Sequence, residues 1–260
     1  MAAQEQERAY LHDLGPTFEV ERPLGRSPLV ILCEHASARI PESLNHLGLP
    51  PEDRLKHIAW DRGAMALARH LSAHFDAPLV ASTVSRLVYD CNRRPDAPDA
   101  IPTRSEHIDI LGNQGLSPEH QDDRRRLIHQ PFHAAASALM AARAQPVLVT
   151  VHSFTPVFMG EVREVELGLL ADGDDDRLAQ AMWVIAPEVT TLYTEVNEPY
   201  DPKQGMTYSA AAHALTRGAL HVMFEVRNDL ISTDAQVAMV APALATLLER
   251  GLQACGFALD

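Results

Sequence analysis

The chain holds little cysteine and no cysteine framework. Only Cys33, Cys91 and Cys255 occur among its 260 residues, an odd number with no CxxC pair. That argues against a disulfide scaffold and against a cysteine-built structural zinc site, and for a reducing, cytoplasmic setting. Cys33 and Cys91 fall near the residues singled out below, yet the ordinary reading of each is a small buried side chain. No apolar stretch is long enough to span a bilayer. The start, Met1–Arg8, is polar and reads as part of a loose extension over residues 1–25, not as an export signal. Positive charge is scarce too: 22 Lys and Arg face 35 Asp and Glu, a net charge of −13. A nucleic-acid partner needs a basic face and is not expected. A small anionic ligand is compatible, since a few arginines in a cleft create a local positive field. There is no Walker-type phosphate loop and no GxSxG elbow.

What is present is the composition of a globular α/β chain, 46% hydrophobic and 22% charged. Its length suits one domain with a sizeable core, and no linker or repeat divides it. Three apolar, β-rich runs stand out. Leu29–Cys33 leads into Glu34-His35, Pro146–Val151 into His152, and His221–Phe224 into Glu225. Such runs read as buried strands of a mainly parallel or mixed sheet flanked by helices. Further strands are expected near Leu79–Ala81, Leu87–Tyr89 and Glu166–Leu170. Helical periodicity covers Glu52–Phe75, interrupted at Gly63. It returns from Pro118, capped by Ser117, to about Arg143 with a kink at Pro131. Shorter helices fit Asp174–Trp183 and Ser209–Arg217, and a final one runs from about Thr233 to Gln253. Pro95–Pro118, with four prolines, reads as a long functional loop. Glu195–Met206 is a second loop.

Ligands in open α/β sheets bind at the carboxyl ends of strands. Two histidines and a glutamate at three such ends therefore converge on one crevice, and these residue types suit a zinc ion with a general base. Zinc in a hydrolase takes three protein ligands and a water. His35 and His152 supply two. Asp61 is the choice for the third, with His57, one turn earlier, as its rival. Glu34 is less suited, because neighbouring residues on a strand face opposite sides. Asp61 also has an ordinary reading as a first-turn carboxylate favoured by the helix dipole. Glu225 is placed for a general base, or alternatively for an ion pair with Arg227. In Ser85–Arg94, Arg93 and Asn92 follow a strand and suit a substrate carboxylate, and Arg86 suits a second one. The plain alternative is a basic turn neutralised by Asp90 and Asp96. Asp122–Arg126 reads as a solvated helix face.

Taken in order, Cys33-Glu-His-Ala-Ser37, Trp60-Asp-Arg-Gly-Ala64, Ser85-Arg-Leu-Val with Asp90-Cys-Asn-Arg93, Val151–Pro156, Asn197-Glu-Pro-Tyr200 and Phe224–Leu230 resemble the N-formylglutamate amidohydrolase family. The resemblance covers about Leu29 to Leu248. It implies a zinc-exopeptidase-like (phosphorylase/hydrolase-like) fold related to carboxypeptidases and zinc-dependent cell-wall amidases. In those amidases His, Glu and His hold zinc and a later Glu is the catalyst; His35, Asp61, His152 and Glu225 fall in the same order. Asp stands here where the amidases have Glu. Asn92 and Arg93 resemble the carboxylate-binding Asn-Arg pair of related enzymes, although many family members have proline where this chain has Arg94. The implied activity is zinc-dependent (or other divalent-metal-dependent) hydrolysis of a small anionic N-acyl amino acid, first of all N-formyl-L-glutamate. The alternatives are an amidase for another N-acyl amino acid or a peptidoglycan-type amide, and an inactive ligand-binding member. The oligomeric state is left open.

Overall fold

The computed structural model describes residues 10–173, 175–201 and 205–259. The expected loose start Met1–Arg8 lies outside them, as do Asp174 and residues 202–204 of the second loop. Seven strands form the main sheet: β1 (Phe18–Glu21), β2 (Leu29–Cys33), β3 (Leu79–Ser82), β4 (Val147–Phe154), β5 (Leu167–Leu170), β6 (Thr194–Val196) and β7 (His221–Arg227). Their order is β1-β3-β2-β4-β7-β5-β6. The middle four, β3, β2, β4 and β7, are parallel. β1 runs antiparallel to β3, and β5 antiparallel to β7 with β6 parallel beside it. The sheet is thus mixed around a parallel centre.

The middle strands are buried almost throughout because both faces are covered. Leu29 and Ile31 of β2 point into a core shared with helices α1 (Ala64–Phe75), α4 (Arg177–Val189) and α6 (Asp234–Ala254). Val30 and Leu32 point into the other core, with α3 (Gln130–Ala141) and α5 (Tyr208–His213). The helix from Pro118 starts as α2 (Pro118–Arg124) under its Ser117 cap, whose side chain accepts from the His120 amide at 3.3 Å. The kink expected at Pro131 is a π turn over Arg125–His129. Proline has no N–H for the ladder, and the turn before it absorbs the mismatch. The last helix carries a full capping box of Thr233 and Gln236.

Several elements differ from expectation. The face Asp122–Arg126 is not wholly solvated, since Arg124 is fully buried on Tyr10, Val88 O and Asn113. The loop expected from Glu195 starts inside β6, and the helix expected over Asp174–Trp183 is Arg177–Val189. The helix expected from Glu52 begins at Ala64, because residues 51–60 form turns and bends and Gly63 caps it at φ +83. A Cβ at Gly63 would meet Ile231 O at 2.1 Å, so glycine is required there on both counts. Leu87–Tyr89 is a turn, buried yet unpaired with the sheet; burial alone does not distinguish a strand from a packed turn. Phe18–Glu21, inside the expected extension, forms the edge strand β1. Finally, β4 and β7 run on past His152 and Glu225, to Phe154 and Arg227. None of the helices among the described residues is long and apolar enough to cross a membrane.

Candidate metal centre and active site

β2, β4 and β7 are neighbours in the sheet, and Glu225 sits in direct register with His152. His35 follows the end of β2, and its carbonyl accepts from the Asp61 amide at 2.9 Å. That backbone bond brings Asp61 to the same spot, although it precedes the helix and does not open it. The result is a compact triangle. His35 Nδ1 and His152 Nδ1 are 3.1 Å apart, and Asp61 Oδ2 lies 3.1 Å from the first and 2.8 Å from the second. All three side chains are buried.

Their outer faces explain the orientation. His35 Nε2 donates to Asp90 Oδ1 at 2.7 Å, since a carboxylate only accepts. Glu34 Oε2 stands 3.2 Å from His152 Nε2. It forms no aligned hydrogen bond with that nitrogen, and neither Glu34 oxygen has a hydrogen-bond partner among the described residues. The Asp90 bond holds the proton of His35 on Nε2, so a neutral His35 ring turns its bare Nδ1 inward, and His152 turns its Nδ1 to the same point. Three electron-pair donors meeting at one point, from two imidazoles and a carboxylate, are the donor set of a borderline divalent cation such as zinc.

The electrostatics agree. Burial opposes charging of Asp61, but the flanking imidazoles of His35 and His152 hold its carboxyl below the usual range. Burial likewise opposes ionisation of Asp90, and His35 and Arg86 hold it well below. Burial opposes protonation of His152, yet Glu34 and Asp61 push it well above its ordinary value. The carboxylates around this point therefore demand positive charge. Glu225 is the exception. Burial lifts its pKa to about 7, against the pull of His152, and its Oε2 has no hydrogen-bond partner. The expected alternative partner, Arg227, pairs with Glu166 at 3.2 Å and Asp229 at 2.9 Å.

A cleft of about 320 Å³ opens over the triangle and Glu225, with the proline-rich loop as one wall. Each remaining candidate now has a position. His57 is on the cleft wall, 2.5 Å from Glu106, and takes no part in the triangle. Glu34 lies behind His152. Arg86 faces two protein carboxylates, Asp90 at 2.8 Å and Asp61 at 3.4 Å, so its charge is matched before any substrate arrives. Asn92 has both ends of its amide bonded to backbone, Nδ2 to Met206 O at 2.5 Å and Oδ1 from the Ser209 amide at 3.1 Å. It straps the 206–209 segment to the site and is not free to grip a carboxylate. Arg93 lines the cleft, held at its rim by the exposed Asp99 at 2.7 Å. Cys33 and Cys91 are buried, and burial drives both thiols well above their usual pKa, so neither is a nucleophile. Sequence reasoning missed Asp90 as the partner of His35. The available signal was its place four residues after Arg86, which a plain neutral turn explained equally well.

Fold and site together define a mixed α/β protein with a compact His–Asp–His cluster in a cleft at the carboxyl end of its parallel strands. The chain belongs to the N-formylglutamate amidohydrolase family, whose model matches residues 27–232. The gene product Atu2144 from Agrobacterium tumefaciens has a similar solved structure, with 42% identity and a TM-score of 0.91 over 96% of this chain and 100% of that one. The N-formylglutamate amidohydrolase from Ralstonia eutropha JMP134 shares the fold at 17% identity, with a TM-score of 0.62 over 92% of this chain and 98% of its own. A comparison with curated proteins finds no significant match.

Proposed function

We propose that the chain is a metal-dependent amidohydrolase of N-acyl amino acids, with N-formyl-L-glutamate, hydrolysed to formate and L-glutamate, as its first substrate. The observation that carries this reading is the triangle of His35 Nδ1, His152 Nδ1 and Asp61 Oδ2 beside an unpaired, buried Glu225. These three residues would hold a divalent cation, for which zinc fits best. When bound, such an ion acidifies a water and polarises an acyl oxygen. Glu225, with a pKa near neutrality, accepts the water's proton and hands it to the departing amine nitrogen. Arg93 binds a substrate carboxylate through its planar fork, exchanging Asp99 for it. Arg86 offsets the charge of Asp61 and Asp90. Three free cysteines accord with a cytoplasmic, small-molecule role.

The test is elemental analysis together with formate release across N-formyl and N-acetyl amino acids. About one zinc per chain is expected, lost with activity in His35→Ala and His152→Ala. Full zinc in both variants, or no hydrolysis of any N-acyl amino acid by the loaded protein, would sink the proposal.

A further inference from the structure

The segment Asn197-Glu-Pro-Tyr200 has no role in the account above. Its backbone lies directly on the sheet beside the site. Gly168 is the register partner of Glu225, and a Cβ at Gly168 would meet Glu198 O at 2.0 Å. The bare glycine lets the loop descend, and Tyr200 lines the cleft together with Glu225 and Asp61.

The phenol is held from behind by Arg163. The guanidinium carbon stands 4.7 Å from the Tyr200 ring centre and 4.6 Å from that of Phe158. Phe154 meets Tyr200 edge-on at 6.4 Å. Arg163 Nη1 donates to the Tyr200 hydroxyl at 3.0 Å, and its own carbonyl accepts from Arg227 Nη1 at 3.3 Å. An arginine accepts nothing, so the phenol's proton must point elsewhere. No acceptor among the described residues binds it. Burial, with Glu225 adding to it, raises Tyr200 to about 12, so the proton is present at neutral pH. Three other donors of the cleft already face carboxylates: His57 faces Glu106, Arg93 faces Asp99, and Arg86 faces Asp61 and Asp90.

We infer that Tyr200 is a catalytic residue: its O–H donates a hydrogen bond to the acyl oxygen as negative charge develops there, with Arg163 as the positioning residue behind it. The inference rests on the amidohydrolase reading. In the step concerned, the water oxygen bonds to the acyl carbon and the water's proton passes to Glu225. The C=O π pair moves onto the acyl oxygen. On collapse the C–N bond breaks and Glu225 returns the proton to nitrogen. Tyr200 keeps its own proton throughout. Preorganised donors of this kind contribute in a low-dielectric site because they need no reorganisation as the charge forms.

Tyr200→Phe keeps the ring and its packing and removes the donor. Loss of one such donor costs roughly 10²- to 10³-fold in kcat, here with KM and zinc content unchanged. A phosphonamidate analogue of N-formylglutamate, tetrahedral where the acyl carbon is planar, should bind the variant more weakly by a similar factor in calorimetry. L-glutamate should bind as before. Arg163→Met should weaken analogue binding in the same direction by a smaller factor. A kcat for Tyr200→Phe equal to that of the active parent overturns the assignment alone. So do equal affinity losses for analogue and glutamate, which make Tyr200 a carboxylate reader. If the parent neither hydrolyses N-formylglutamate nor binds the analogue, both readings fall.

Discussion

Replacing Glu225 by glutamine tests the site without any substrate. Burial raises the carboxyl pKa to about 7 in the folded chain, mostly opposed by His152. In an unfolded chain a glutamate titrates near ~4.3. The folded state therefore holds a proton that the unfolded state has already lost. The sign follows from that. Glu225 imposes no penalty below the unfolded pKa, where it is protonated in both states. The penalty grows as pH rises from ~4.3 and is complete above about 7. At ~1.36 kcal/mol per pKa unit, it reaches about 3–4 kcal/mol. Glutamine has nearly the same shape and never ionises. Metal-free Glu225→Gln should match the parent in stability near pH 4.5 and exceed it by about 3 kcal/mol at pH 8. For a chain of this size that is roughly 6–12 °C in Tm. Urea denaturation of chelator-treated proteins at the two pH values, with equal m-values, measures it. An unchanged difference between pH 4.5 and pH 8 would show that Glu225 is not buried as an uncompensated acid. The metal-loaded variant should retain zinc and lose about 10²- to 10⁴-fold in kcat.

Asp90→Asn removes the carboxylate that fixes the His35 tautomer, and should weaken zinc affinity about 10- to 100-fold by chelator competition while the fold is kept. An unchanged zinc affinity would mean that the 2.7 Å bond is incidental. Arg93→Ala should lower kcat/KM for N-formylglutamate about 10-fold or more, since a hydrogen bond to a charged group is worth roughly 1.5–3 kcal/mol. The loss should be much smaller on an N-formyl amide lacking the matching carboxylate, and equal losses would refute Arg93 as its reader. Gly63→Ala forces a side chain into a left-handed backbone and against Ile231 O at 2.1 Å. It should cost more than about 1–2 kcal/mol and reduce zinc content, because Asp61 stands two residues away; parent-like stability and zinc in this variant would contradict the role of Gly63.

Local chemistry in the sequence determined the central strands. Runs such as Leu29–Cys33 can be buried only on both faces, so they had to lie at the centre of a helix-covered sheet. The residues just beyond them, His35, His152 and Glu225, then shared one edge. Helix signals were as local: Ser117 before Pro118, and Thr233 before Gln236, announce their caps within four residues. What sequence could not decide was each side chain's partner. Asn92 and Arg86 have the chemistry of carboxylate binders. Whether they serve substrate depends on Met206 and Ser209, more than a hundred residues away, and on Asp61 across the fold. Asp61 was the choice for the third ligand and His57 its rival by spacing, and the backbone bond from Asp61 to His35 is what places Asp61 in the triangle. Leu87–Tyr89 has the composition of a strand, but it is buried as a turn that does not pair with the sheet. Tyr200 reaches the cleft only because Gly168, on another strand, has no side chain to keep its loop away. Elements follow from short-range pattern and capping, whereas a site follows from which groups, distant in sequence, are brought within hydrogen-bond distance of one another, and that is decided when the sheet is assembled.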